Sequence, residues 1–204
     1  MTLTAPLPAA PGHEAAPLRL VGERRIDRDR VERAVGELLA GLGRDAADPH
    51  LRDTPRRVAD AFAELLTPQA FEPTTFANEG GYDDLVLVRD IPFHSLCEHH
   101  LLPFRGVAHI GYLPGERLIG LSKLARALDR FARDLQVQER LTAQVADWLQ
   151  DTLHARGVGV VIQAEHLCMS LRGIGAAGAM TVTSAFTGEL AADQERRKRF
   201  LPDA

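Results

Sequence analysis

At 204 residues and 45% hydrophobic content the chain can bury one substantial core, which points to a single domain. Its formal net charge of −4 weighs against a nucleic-acid or membrane-surface partner, and no apolar run is long enough to span a bilayer. An anionic substrate stays compatible, because a local cluster of Lys and Arg can hold phosphate within an acidic protein.

Residues 1–17 are rich in Ala and Pro and lack a basic segment followed by an apolar one. Residues 1–26 therefore read as a disordered leader and not as a signal peptide. Two cysteines without an export signal point to a reduced, cytoplasmic setting. Val31, Val35, Leu38, Leu39 and Leu42 recur at helical spacing, which predicts an amphipathic helix over 27–42. Thr54-Pro55 reads as an N-cap followed by proline in the first helical position. It opens a second helix with Val58, Phe62, Leu65 and Leu66 on its apolar face, ended by Thr67-Pro68. Residues 67–83 carry Pro, Gly and Asn and read as a loop.

The hydrophobic period then changes. Residues 85–91 and 106–113 are β-rich, the second ending at the turn Pro114-Gly115. They are predicted antiparallel partners, with Cys97-Glu98-His99-His100 between them. Gly120 precedes a helix with Leu124, Leu128, Phe131 and Leu135 on one face, and the next carries Val137, Leu141, Val145, Trp148, Leu149 and Leu153. A third strand begins at Gly157 and runs to about Cys168, and a fourth covers 181–187. Two helices, two strands, two helices and two strands, with no internal repeat, predict an α+β domain. Its antiparallel sheet would carry the helix pair between strands two and three on one face.

The two cysteines carry the chemistry. Cys97 opens Cys97-Glu98-His99-His100 and Cys168 closes His166-Leu167-Cys168. Thiolate and imidazole are the ligand set of zinc. A three-residue spacing lets a turn aim Cys97 and His100 at one ion, and a predicted strand would turn His166 and Cys168 to one face. Five candidates converge: Cys97, His99, His100, His166 and Cys168. A structural site would use four of them; a catalytic site would use three and leave a position for water. The surplus histidines favour the catalytic case, as general acid and base beside the metal. The competing readings are a disulfide, inert thiols or packed histidines. His94 and His109 read as structural. Ser122, Lys123 and Arg126 at a predicted helix start, with Arg172 just beyond Cys168, form a candidate anion site, or else a solvated helix face. Gln138-Glu139 opens the next helix. Its carboxylate could accept two hydrogen bonds from a guanine ring, but an ordinary first-turn acid is the simpler reading.

Four segments together resemble GTP cyclohydrolase I: Cys97-Glu98-His99-His100-Leu101-Leu102-Pro103-Phe104, Ile119-Gly120-Leu121-Ser122-Lys123-Leu124-Ala125-Arg126, Gln136-Val137-Gln138-Glu139-Arg140-Leu141-Thr142, and His166-Leu167-Cys168-Met169 followed by Arg172-Gly173. The resemblance runs over about 53–187. It implies the tunnelling fold within a domain spanning 27–204, with N-terminal helices over 27–67 and a catalytic region over 84–190. It implies a hydrolase of cyclic amidine C–N bonds that turns GTP and water into 7,8-dihydroneopterin triphosphate and formate, the entry to folate or tetrahydropterin biosynthesis. By the same resemblance Cys97, His100 and Cys168 would bind Zn2+, and His99 and His166 would shuttle protons. Glu139, with Gln138 beside it, would hold the guanine edge. Ser122, Lys123, Arg126 and Arg172 would surround the ribose and triphosphate, joined by Arg57 from a neighbouring subunit of a toroidal homodecamer. One position and one loop depart from the family pattern. Asp60 stands where a lysine is common, and residues 174–180 carry no charge. Both lower the cation density expected around the triphosphate. The alternatives are a tunnelling-fold relative acting on another purine or pterin, and a non-catalytic module with structural zinc.

Overall fold

The computed structural model describes residues 25–45 and 47–201, so the expected leader lies, but for its last two residues, outside them. Helix α1 (Arg28–Gly41) is capped by Asp27, whose carboxylate accepts from the Arg30 amide at 3.0 Å. Helix α2 (Thr54–Leu65) begins with Pro55 in its first turn and packs along α1. Asp60 of α2 pairs with Arg28 of α1 at 3.3 Å, tying the two helices together, and with Arg56 one turn back on its own helix at 3.2 Å.

The stretch read as a loop contains a short strand, β1 (Thr75–Ala77). After β2 (Val86–Cys97) and β3 (Pro103–Leu113), the chain forms β4 (Arg117–Ile119), which pairs antiparallel with β1. Three residues cannot display an alternation, and the partner lies some forty positions away, so the pattern left no local trace. Helix α3 (Leu121–Ala132) follows, then β5 (Leu135–Gln136), α4 (Gln138–Leu153), β6 (Gly157–His166), the single turn α5 (Leu167–Ser170), and β7 (Met180–Phe186). Leu135, expected on the face of α3, belongs instead to β5, because the helix ends at Ala132.

The main sheet has the order β5-β2-β3-β6-β7, antiparallel throughout except that β5 runs parallel to β2. Strand β2 continues six residues past the expected Ile91. A bulge between Val88 and Ile91 resets its phase, with Asp90 at φ 57°. Beyond the bulge Ile91, Phe93, Ser95 and Cys97 are buried. Successive residues of a strand face opposite sides. Phe104, Ala108, Ile110 and Tyr112 of β3, with Val158, Val160, Ile162 and Ala164 of β6, therefore meet Leu124 and Leu128 of α3 and Leu141, Val145 and Leu149 of α4.

The opposite face is covered at one end by the short helices α6 (Gly188–Ala192) and α7 (Gln194–Lys198), which the sequence reading did not include. Gly111 and Gly159 are cross-strand partners. Their missing side chains make room for the fully buried Phe200 ring, which meets Phe186 edge-on at 5.3 Å.

Candidate active site and metal centre

The hairpin turn joining β2 and β3 is built around Cys97. Leu96 and Pro103 form the last cross-strand pair, and the Cys97 amide donates to the Leu102 carbonyl at 2.9 Å. The Leu101 amide closes onto the Cys97 carbonyl at 2.9 Å, with Leu101 itself in the left-handed region at φ 54°. This coil turns Cys97 and His100 the same way. It is tied down from outside: the Glu98 amide donates to the Gln136 carbonyl at 3.0 Å, and the Glu98 carboxylate meets the Arg140 guanidinium at 2.6 Å.

Cys168 arrives differently from expectation. Strand β6 stops at His166, and the helical turn α5 carries Cys168, so the two residues do not share a strand face. The turn nevertheless delivers the thiol to the hairpin. One ligand atom each from Cys97, His100 and Cys168 lies within 4.8 Å of the others. Cys97 is buried, Cys168 half-buried and His100 exposed, so the group is backed by protein on one side and open on the other. His99 Nδ1 approaches Cys97 Sγ at 3.9 Å but does not join the three. The donor set suits a divalent cation of intermediate softness. Burial, and then the neighbouring Cys97 thiol, push the pKa of Cys168 up. Two sulfurs held this close favour a central cation, which would stabilise both as thiolates.

His166 stands beside this group. It is the cross-strand partner of Phe104, and the two rings stack at 4.6 Å and 2°. Its Nε2 is 2.8 Å from Gln138 Oε1. Burial lowers its pKa, opposed by the Glu139 carboxylate, so the imidazole is held toward its neutral form. At the open rim, an Arg172 nitrogen lies 3.4 Å from His100 Nε2 and 3.5 Å from the Cys168 carbonyl.

The remaining expected residues are spread further. Ser122 and Arg126 are exposed and Lys123 half-buried, on the first turns of α3 behind the backbone cap Gly120. Arg57 is exposed on α2 and paired with Asp53 at 3.4 Å. Among the described residues no hydrogen bond or ion pair joins Arg57, Ser122, Lys123 or Arg126 to the cysteine–histidine group. Of the two histidines read as structural, His94 is exposed. His109 is buried, and its Nδ1 accepts from the Asp90 amide at 3.2 Å, which pins the β2 bulge.

The sequence profile described as GTP cyclohydrolase I matches residues 31–204. The chain belongs to the GTP cyclohydrolase I family. Its relatives include the GTP cyclohydrolase 1 of Allorhizobium ampelinum, 50% identical over 182 residues and covering 87% of this chain and 90% of the relative. The Aquifex aeolicus protein of the same name is 49% identical over 176 residues, covering 86% and 96%. That of Corynebacterium aurimucosum is 54% identical over 173 residues, covering 81% and 87%. The antiparallel sheet with its helix pair between β3 and β6 is the tunnelling fold of GTP cyclohydrolase I.

Within this family fold, the sequence reading missed how the site is held. Gln136, Arg140 and Glu98 lock the cysteine turn, with Arg140 Nε donating to Gln136 Oε1 at 2.9 Å. Gln138, assigned with Glu139 to a guanine edge, is 1% exposed and spends its side chain on protein partners. The signal was present: Gln138 shares the helical repeat of Leu141, Val145 and Leu149, all of them buried. Glu139, on the next position, is exposed.

Proposed function

We propose that this chain opens the imidazole ring of GTP hydrolytically and carries it on to 7,8-dihydroneopterin triphosphate and formate, using zinc held by Cys97, His100 and Cys168. The observation that carries this reading is the half-open three-ligand cluster with the part-buried His166 ring at its edge, in a chain of this family. When bound, the metal supplies Lewis acidity that brings the pKa of a water to about 7. His166, whose pKa burial lowers, takes and returns protons at the purine ring, and His99, exposed with its Nδ1 3.9 Å from Cys97 Sγ, is the second proton carrier. Glu139 accepts two hydrogen bonds from the guanine N–H edge. Adenine offers no such pair and would leave the carboxylate without partners.

Ser122, Lys123 and Arg126 bind the triphosphate at the start of α3, where backbone N–H groups add to the two cations. Arg172 reaches it from the cluster's rim. Arg57 completes the set from a neighbouring subunit, since its own helix packs on α1 rather than on the catalytic end of the sheet. Strand β7 is an edge with exposed Met180 and Val182, and closure of a decameric ring by further copies would cover it. In this reading residues 27–204 act as one cytoplasmic catalytic domain feeding folate or tetrahydropterin synthesis. No helix among the described residues is long and apolar enough to cross a membrane.

Turnover should be compared among GTP, GDP, ATP and ITP. The reading calls for formate and a pterin from GTP, with little from ATP. A preference for another purine would favour the second reading, a relative with altered substrate, for which the uncharged 174–180 loop speaks.

A further inference from the structure

Gln138 begins α4 yet is 1% exposed. A buried amide must place two hydrogens and an oxygen. Its Nε2 lies 3.1 Å from the Ile162 carbonyl, 3.0 Å from the Thr181 carbonyl and 3.1 Å from Thr183 Oγ1. Two of those three partners are backbone carbonyls, which only accept. The end of the amide turned toward β6 and β7 is therefore the NH2 group, because a flipped amide would set oxygen against two carbonyl oxygens. A second layer holds it there. Thr142 Oγ1, itself 1% exposed, donates to the Gln138 carbonyl at 2.8 Å. The 2.6 Å contact between Thr142 and Thr183 is then donated by Thr183, which leaves Thr183 Oγ1 free to accept from Gln138.

That orientation decides the state of His166. Gln138 Oε1 faces His166 Nε2 at 2.8 Å and can only accept, so Nε2 carries a hydrogen. In the neutral ring the lone pair then belongs to Nδ1. Stacking on Phe104 removes the remaining freedom of the ring plane.

We infer that Gln138 is a positioning residue for the proton-carrying histidine, not a ligand of the guanine edge: it fixes the His166 ring in the Nε2–H tautomer and makes Nδ1 the nitrogen that exchanges protons with the substrate. This rests on the reading of His166 as a proton carrier, and it divides the Gln138-Glu139 pair into a buried half facing the protein and an exposed half facing the substrate.

The test uses the zinc-loaded full-length enzyme. Solid-state 15N spectra of histidine-labelled protein, with the His166 signals assigned by their loss in His166→Asn, should show a protonated Nε2 and a bare Nδ1 at a pH where the ring is neutral. An Nδ1–H tautomer, or averaging between the two, would overturn the inference. In kinetics, Gln138→Leu should lower kcat on GTP by about 10–100-fold, with KM within about twofold and zinc content unchanged. Thr183→Val, which removes one anchor of the amide, should give a smaller fall in the same direction. A raised KM with kcat retained would return Gln138 to the guanine edge, and loss of zinc together with activity would make it merely structural. If Gln138→Leu does not fold, the spectrum and Thr183→Val decide. If the wild type releases no formate from GTP, the parent reading fails, while the spectrum still reports on the tautomer.

Discussion

Gly106 of β3 couples the sheet to the site, and replacing it by alanine tests that coupling. Gly106 pairs with Ala164 of β6, two positions from the stacked pair Phe104 and His166. A Cβ built there falls on the Gln163 carbonyl oxygen and lies 2.7 Å from the Ala164 Cα and 2.8 Å from the Gln163 carbonyl carbon. All three neighbours are backbone atoms inside the 3.0 Å that real Cβ contacts respect, so no side chain can swing aside. The strands must separate, and overpacking of this kind costs about 1–3 kcal/mol. The displaced segment of β6 ends at His166, and a misplacement of about 1 Å at a catalytic group costs on the order of 10²-fold in rate. Gly106→Ala should therefore lower formate release about 10²-fold and lower the thermal midpoint, whereas Gly80→Ala, where an added Cβ meets nothing within 4 Å, should change neither. Wild-type turnover and stability in Gly106→Ala would refute the close approach of β3 and β6 and the transmission of strain to His166.

Three other expectations are independent of that one. His99→Ala and His166→Ala should keep zinc and lose turnover, while His100→Ala and Cys168→Ser should lose zinc, as read by metal analysis of the purified variants; loss of zinc in the first pair would favour a closed structural site. Phe200→Ala empties the space over Gly111 and Gly159 and should cost about 3–5 kcal/mol in urea unfolding, and a loss below about 1 kcal/mol would show that the segment after α7 does not anchor the sheet. Burial, the largest cause, lowers the pKa of His109 below its ordinary 6.5, with Arg89 assisting and Asp90 opposing. The unfolded chain then binds the proton more readily, so stability present above about pH 6.5 is lost as the pH falls toward the folded value. His109→Gln should flatten that acid-side slope in urea midpoints measured at several pH values, and an unchanged slope would contradict the assignment.

What could be read from the sequence followed the physics of each feature. The long amphipathic helices were legible because their burial repeats locally, and the strands β2, β3 and β6 because their apolar, β-branched residues run together, β6 being buried along most of its length. The five candidates Cys97, His99, His100, His166 and Cys168 were legible as a group because their chemistry is rare and their neighbours share it, but spacing did not separate ligands from bystanders; the family resemblance singled out Cys97, His100 and Cys168, the three whose ligand atoms the fold brings within 4.8 Å of one another. The route by which Cys168 arrives was not: strand alternation placed it beside His166, whereas a single helical turn after His166 brings it to the hairpin. The ribbon of β1 and β4 and the helices α6 and α7 are too short to show a period: β1 finds its partner some forty positions away, and the segment after α7 is held by Phe200 over the glycine pair of β3 and β6. Leu135 continued the apolar face of α3 in sequence but not in space, since the helix stops at Ala132. Gln138 looked like one half of a polar pair, and only the burial of one side of α4 separates its surroundings from those of Glu139.

The most direct test of the account is formate release from GTP by protein whose zinc content is measured in the same sample. Zinc near one per chain with formate produced, both abolished by a strong chelator and both restored by added zinc, is the result the three-ligand open site requires. Full zinc loading with no formate from GTP or any other purine nucleotide would contradict it.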